Sequence, residues 1–244
     1  MVKVFLSAGH GGNDPGAVAY GMKEKEVNLN IMLACKEELE RNGVEVICSR
    51  LKDENDPVNS EVKEANASKA DIAVSFHTNA GGGDGSESYY YYGSREGIRL
   101  AKLCEKYTKE IGQNSRGIKD GSKLRFIKGT TMTAVLCECA FIDNDKDNNI
   151  IDTVNKQKTF GVAYAKAILE YLNIKTDFSP YMVKIDVINL NIRKGPGTNF
   201  DAVGITGKGI FTIVEESSGN GSKTGWGKLK SNAGWISLDY ATKI

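Results

Sequence analysis

Val2-Lys3-Val4-Phe5-Leu6-Ser7-Ala8-Gly9-His10-Gly11-Gly12 opens the chain as a short apolar run that passes directly into a glycine-flanked histidine. A run of this length reads as a strand buried on both faces, with the histidine just past its carboxyl end. The downstream sequence repeats the theme. Val27, Ile31, Ala34, Cys35 and Leu39 recur at helical spacing, and Asn42-Gly43 supplies a stop. Val44–Ser49 is a second strand, Val58–Ser68 a polar helix, and Ile72–Phe76 a third strand, followed by His77-Thr78-Asn79. Ser88–Tyr92 is strand-like, with aromatics on both faces: two for the core and two free for substrate. Ile98, Ala101, Cys104, Tyr107 and Ile111 mark a helix, Thr133–Cys139 a strand, and Phe160, Ala163, Tyr164, Ala167, Ile168 and Tyr171 a last helix. Strands alternating with helices of this length predict an α/β fold, a twisted sheet flanked by helices on both faces.

The alternation stops near residue 173. Residues 174–182, with Ser179-Pro180, read as a linker, and 183–244 carries only short strand signals separated by Gly195-Pro196-Gly197, Gly207-Lys208-Gly209 and Ser217–Gly221. About sixty residues of this kind suggest a small all-β barrel. The expected division is a domain at 1–173, a linker, and a second domain at 183–244.

Bulk composition excludes more than it selects. The 244 residues have net charge +1, so no nucleic-acid partner is called for. Residues 183–244 are slightly basic, a bias too small to specify an anionic surface. Five cysteines, all in the first 140 residues and without a C-x-x-C, read as buried reduced thiols. No run reaches the ~18 apolar residues of a membrane span, so no stable membrane insertion is expected. The first residues lack a charged segment followed by a long apolar stretch, so no signal peptide is expected either.

The chain has two histidines, His10 and His77, and each follows a buried strand. Sites in open α/β sheets form at that edge. One such histidine is most simply a strand cap; two at the same edge point to shared chemistry. Imidazole and carboxylate are good zinc ligands, and a catalytic zinc takes three protein groups and leaves one position open. Asp14, Glu24 and Glu26 are the candidates for the third ligand, and spacing does not choose among them. Charge at a helix N-terminus is the plain alternative for the two glutamates. Glu138, inside Val135-Leu136-Cys137-Glu138-Cys139-Ala140-Phe141, faces away from Cys137 and Cys139, because strand side chains alternate. A carboxylate there is costly unless bound or paired, and beside a metal it is placed to act as a general base. Cys137 and Cys139 read as core thiols. Gly81-Gly82-Gly83-Asp84-Gly85 lacks the ending of a phosphate loop and reads as a flexible loop near the site.

Four motifs in order, Gly9-His10-Gly11-Gly12-Asn13-Asp14-Pro15-Gly16-Ala17, Lys23-Glu24-Lys25, Ser75-Phe76-His77-Thr78-Asn79-Ala80 and Leu136-Cys137-Glu138-Cys139-Ala140-Phe141-Ile142-Asp143-Asn144, resemble the zinc N-acetylmuramoyl-L-alanine amidases of the amidase 3 type over about residues 1–172. The resemblance implies one Zn2+ held by His10, Glu24 and His77, Glu138 as the catalytic glutamate, Asn79 lining the site or supporting its ligands, and a mostly parallel or mixed six-stranded sheet. It implies hydrolysis of the amide between N-acetylmuramic acid and L-alanine in peptidoglycan. One departure is Glu61, four residues before Ala65-Asn66, where the family commonly has Arg. Residues 183–244 resemble a bacterial SH3-type domain, through Leu190-Asn191-Ile192-Arg193-Lys194-Gly195-Pro196-Gly197-Thr198-Asn199-Phe200, Gly225-Trp226 and Gly234-Trp235-Ile236. Such domains commonly bind cell wall, which makes Trp226, Trp235 and Tyr240 candidate wall-contacting residues. Packing inside the barrel is the expected role for at least one Trp. The expected setting is a phage endolysin, released to the wall through holin pores, or a bacterial autolysin. A zinc peptidase of the stem peptide and a non-catalytic wall-binding protein are the rival readings.

Overall fold

The computed structural model describes residues 2–174, 178 and 180–244. The chain divides into two compact units, Met1–Lys175 and Thr176–Ile244. Of the expected linker, residues 175–177 and Ser179 lie outside the described residues.

The first unit is built on strand β1 (Lys3–Ala8), which is buried along nearly its whole length, as its apolar run predicts. After a two-stranded hairpin, β2 (Val18–Ala19) and β3 (Met22–Lys23), come α1 (Glu24–Arg41), β4 (Glu45–Cys48), α2 (Val58–Ser68), β5 (Ile72–Asn79) and β6 (Ser86–Tyr90). Next are α3 (Arg95–Glu110), β7 (Ser115–Asp120), α4 (Arg125–Gly129), β8 (Thr133–Phe141), α5 (Asp145–Ile151) and α6 (Val154–Tyr171). The sheet has six strands in the order β4-β1-β5-β8-β6-β7. All neighbours are parallel except β8 and β6, so the sheet is mixed.

Alternation along the strands sorts the core into two faces. Val4, Leu6, Val74, Phe76, Val135 and Cys137 pack with Ile31, Leu100, Cys104, Phe160 and Tyr164 from α1, α3 and α6. On the other face Phe5, Ala73, Ala134 and Leu136 meet Val62 and Ala65 of α2 and Phe126 and Ile127 of α4. Helices α1 and α6 approach so closely that a Cβ on Gly161 would stand 2.3 Å from the Ile31 carbonyl oxygen, a contact only glycine permits. Cys137 and Cys139 lie in the first of these cores, with thiols pushed well up by burial, as expected for inert core cysteines.

The strand expected at 88–92 sits two residues earlier. Tyr91 and Tyr92 fall past its end and are exposed, because the chain turns at Gly93. The loop at 81–85 is tied down: Gly81 and Gly82 donate to the Asp143 carboxylate at 2.7 and 3.0 Å, and Gly85 donates to Asp147 at 2.9 Å.

Among the described residues, the second unit is a seven-stranded antiparallel sheet. Its strands are β9 (Tyr181–Ile185), β10 (Leu190–Arg193), β11 (Ala202–Thr206), β12 (Gly209–Ser217), β13 (Trp226–Leu229), β14 (Trp235–Ser237) and β15 (Ala241–Lys243). Val183, Ile185, Leu190, Ile213, Leu229 and Ile236 form its core. Trp226 and Trp235 are both buried, whereas Tyr240 is exposed.

Candidate metal and catalytic site

The site forms at the carboxyl-end edge of β1, β5 and β8: His10 lies just past β1, whereas β5 runs on to Asn79, so His77 sits within its last residues and not past its end as expected, and Glu138 likewise lies inside β8. His10 follows β1 in a left-handed backbone conformation, φ 65°, which costs a non-glycine residue energy and is held here by a reciprocal pair of backbone hydrogen bonds between Gly11 and Asp14. Glu24 is the first residue of α1, delivered there by the β2–β3 hairpin. His77 lies near the end of β5, level with Glu138 on the neighbouring strand β8.

Both imidazoles converge on one carboxylate oxygen. His10 Nε2 lies 3.2 Å and His77 Nδ1 3.1 Å from Glu24 Oε1, and one ligand atom from each of the three residues falls within 4.8 Å of the others. Glu24 is buried and its orientation is fixed from all sides. Its Oε1 accepts from the Thr78 N–H at 3.1 Å and Asn28 Nδ2 at 3.3 Å, and its Oε2 accepts from the Ala17 N–H at 2.9 Å. Thr78 Oγ1 in turn donates to Asn28 Oδ1 at 2.7 Å. Asp14 takes the far nitrogen of His10, with Nδ1 and Oδ2 at 2.8 Å, which leaves Nε2 aimed inward. Glu26 is absent from the cluster; it is half exposed and pairs with Lys23 at 3.2 Å.

The three groups of this cluster act strongly on one another. The bond to Glu24 lifts the His10 imidazole to about 9, against the opposing effect of burial and with help from Asp14. In His77 burial opposes the charge, but Glu24 and Glu138 outweigh it and the pKa is raised. For Glu24 burial works upward, yet the two histidines hold its carboxyl far below the usual range. Two imidazoles and a buried carboxylate with their ligand atoms this close are a donor set that could hold a divalent cation, whose binding would displace the imidazole protons.

Glu138 stands beside this cluster. Burial raises its carboxyl to about 7, and Oε2 has no hydrogen-bond partner in a buried position. An unsatisfied buried oxygen is costly and rare, and at a site edge it marks a group kept free for a reactant. Across β8, Glu87 on β6 is in direct register with Glu138.

Other expected residues are placed differently. Asn79 makes no hydrogen bond to the three converging residues: its Oδ1 accepts from the Ala80 N–H at 2.8 Å and its carbonyl accepts from Ile142. The support for Glu24 comes instead from Thr78 and Asn28, which motif spacing did not single out. Their signal was a polar pair at otherwise buried positions of β5 and α1. Trp226, Trp235 and Tyr240 belong to the second unit. There Trp226 and Tyr240 line a cavity of about 420 Å³ together with Ile188, Asn189, Asn191 and Arg193. The Trp226 indole N–H is buried without a partner.

A mixed α/β sheet gathers two histidines and a buried glutamate that could hold a metal ion at one edge, with a carboxyl alongside, an arrangement that fits a hydrolase site. Residues 4–170 match the amidase 3 family model, described as N-acetylmuramoyl-L-alanine amidase, and the chain belongs to that family and is an enzyme of that class. The chain is 32% identical over 191 residues to the sporulation-specific N-acetylmuramoyl-L-alanine amidase of Bacillus subtilis, covering 77% of this chain and 74% of that protein. It is 36% identical over 182 residues to the endolysin of Bacillus phage SPP1, covering 70% and 66%. Among solved structures it resembles the catalytic domain of CwlV, an N-acetylmuramoyl-L-alanine amidase from Bacillus (Paenibacillus) polymyxa, with TM-score 0.67, 33% identity, 72% of this chain and all of that one. These relatives include both bacterial N-acetylmuramoyl-L-alanine amidases and a phage endolysin. Among the described residues no helix is long and apolar enough to cross a membrane.

Proposed function

We propose that the first unit hydrolyses the amide between N-acetylmuramic acid and L-alanine in peptidoglycan, with one zinc ion held by His10, Glu24 and His77 and with Glu138 as general base and acid. The observation that carries this reading is the convergence of His10 Nε2 and His77 Nδ1 on Glu24 Oε1, beside a buried carboxyl with an unsatisfied oxygen. The donor set of two imidazoles and one carboxylate suits zinc and leaves room for a reactant. When bound, zinc supplies Lewis-acid polarisation of the scissile carbonyl and acidifies water to a pKa near ~7.

The protein's own groups do the rest. Asp14 holds the His10 ring so that Nε2 points inward, and Thr78, Asn28 and Ala17 hold Glu24. Glu138 takes the proton of the attacking water at its carboxylate and returns it to the leaving alanine nitrogen. Burial, which holds the Glu138 carboxyl above the usual carboxylate range, suits it to both halves of that transfer.

The second unit serves as an SH3-type domain for holding the wall. Support comes from its short antiparallel strands and from the cavity that Trp226 and Tyr240 share. Since both indoles are buried, Tyr240 is the ring of the three that is open to a ligand face, and Trp235 acts in packing. The substrate places the site of action at the bacterial wall.

Mass spectrometry of digested wall tests the reaction. New amino groups on L-alanine together with intact muramic acid are expected. New termini within the stem peptide would assign the chain to peptidases instead.

A further inference from the structure

The catalytic edge extends past Glu138 toward groups the hydrolysis does not use. His77, Glu138 and Glu87 lie level with one another on the adjacent strands β5, β8 and β6, with side chains on one face. Glu87 is almost fully buried, and it is the anchor of two cations from the edge strand β7. Arg116 Nε pairs with its Oε1, Lys119 Nζ pairs with the same oxygen at 2.5 Å, and Tyr89 Oη donates to Oε2 at 2.7 Å. The Arg116 guanidinium also lies 5.1 Å from the Phe141 ring centroid, which fixes its plane. Asp147 acts on Arg116 through space, while its own Oδ2 accepts from the Gly85 and Phe141 N–H groups.

Two cations on one carboxylate leave donors to spare. Arg116 and Lys119 keep 41% and 36% of their side chains exposed, whereas Glu87 keeps 3%, so the free N–H groups point outward from the buried anchor. A surface ion pair alone would not need a buried glutamate held by three donors. A guanidinium braced by a carboxylate and a ring, beside an ammonium, is the arrangement that recognises a carboxylate.

We propose that Arg116 and Lys119 form a specificity subsite for a free carboxylate on the second or third residue of the wall peptide, counted from the scissile amide. The position is set by the row of strands. Neighbouring strands are ~4.8 Å apart, and both cations reach from β7 back to Glu87 on β6, so their charged ends lie about one to two strand spacings from Glu138, which an extended peptide covers in roughly two to three residues at ~3.3 Å each. The amide then lies at Glu138 with the sugar on one side and the peptide directed toward β7. Glu87 is a positioning residue for the two cations.

This inference rests on the amidase reading, and the experiment separates the two. Two soluble muramyl peptides are compared that differ only in having their free carboxyl groups intact or converted to carboxamides. The wild type is expected to favour the acid by roughly 10- to 100-fold in kcat/KM, the range of a charge-assisted contact. Arg116→Gln combined with Lys119→Gln should abolish that preference, read as the ratio of kcat/KM on the acid to kcat/KM on the carboxamide, with the loss falling mainly on KM for the acid. Arg116→Lys, which keeps the charge, should restore part of the preference. A purely structural role would shift Tm and leave the acid-to-amide ratio intact. A wild type that cleaves both substrates equally overturns the subsite and leaves the amidase reading standing, and this comparison decides even where the double variant fails to fold. Preference surviving in the double variant overturns the subsite as well. Failure to cleave either peptide or whole wall overturns the amidase reading and the subsite with it.

Discussion

Replacing Glu61 with glutamine should stabilise the protein above neutral pH and leave it nearly unchanged in acid. Glu61 lies on α2 against the sheet, 3% exposed, with its Oε2 accepting from Ser7 Oγ at 2.7 Å. Burial pushes its carboxyl up to about 7, against the pull of the Ser7 bond and with Asp56 adding to the rise. A carboxyl raised from its ordinary 4.5 binds its proton more tightly folded than unfolded. Its contribution is therefore fully present below about pH 4.5 and is lost as pH climbs through about 7. At about 1.4 kcal/mol per pH unit, the full loss is roughly 3 kcal/mol by pH 8, an upper figure that local relaxation will reduce. Glutamine keeps an acceptor for Ser7 and never ionises. For a domain of this size the gain corresponds to roughly 5–10 °C in Tm at pH 8. Thermal melts of both proteins from pH 4.5 to 8.5, in chelator, give the difference curve; His10 and His77 already act on Glu61 through space, and a bound dication would pull its window to lower pH. Parallel curves, with the same offset at pH 4.5 and pH 8, would refute the reasoning.

Glu138→Gln should lower turnover by roughly 10²- to 10⁴-fold and keep the metal, as turnover assays paired with elemental analysis would show; undiminished turnover removes Glu138 as base. Gly9→Ala should weaken metal binding by about 10-fold or more, because its Cβ would stand 2.1 Å from His77 Cε1 and must push the ring aside. Competition against a zinc-binding dye checks this, and unchanged affinity would mean that His77 is not a ligand. The first unit alone should cleave a soluble muramyl peptide as well as the full chain does, yet act several-fold more slowly on whole wall at low enzyme concentration; equal rates on wall would leave the second unit without a holding role.

Much of this was legible in the sequence because chemistry and fold reinforce each other at strand ends. The runs before His10 and His77 are buried β1 and β5, and alternation correctly turned Glu138 away from Cys137 and Cys139. The choice between Glu24 and Glu26 was not legible from spacing. It depends on where α1 begins, and the β2–β3 hairpin that sets this start has only two residues per strand. Strand β7 was missed for a different reason. Ser115-Arg116-Gly117-Ile118-Lys119-Asp120 is a half-buried edge strand paired on one side, so it has no need of the apolar run that announces a central strand. Missing it hid Arg116 and Lys119. Strands β11 and β15 are edges of their own sheet and escaped in the same way. Glu61 shows the limit of motif comparison: the departure was visible, but only packing reveals a buried carboxyl bonded to Ser7.

Elemental analysis of the purified wild type beside Glu24→Ala goes straight to the point on which the rest depends. One zinc per chain in the wild type and almost none in the variant, with both proteins folded, is the result expected if two imidazoles and this carboxylate share an ion. Equal zinc in the two proteins, or a wild type that digests wall while free of metal, would contradict it.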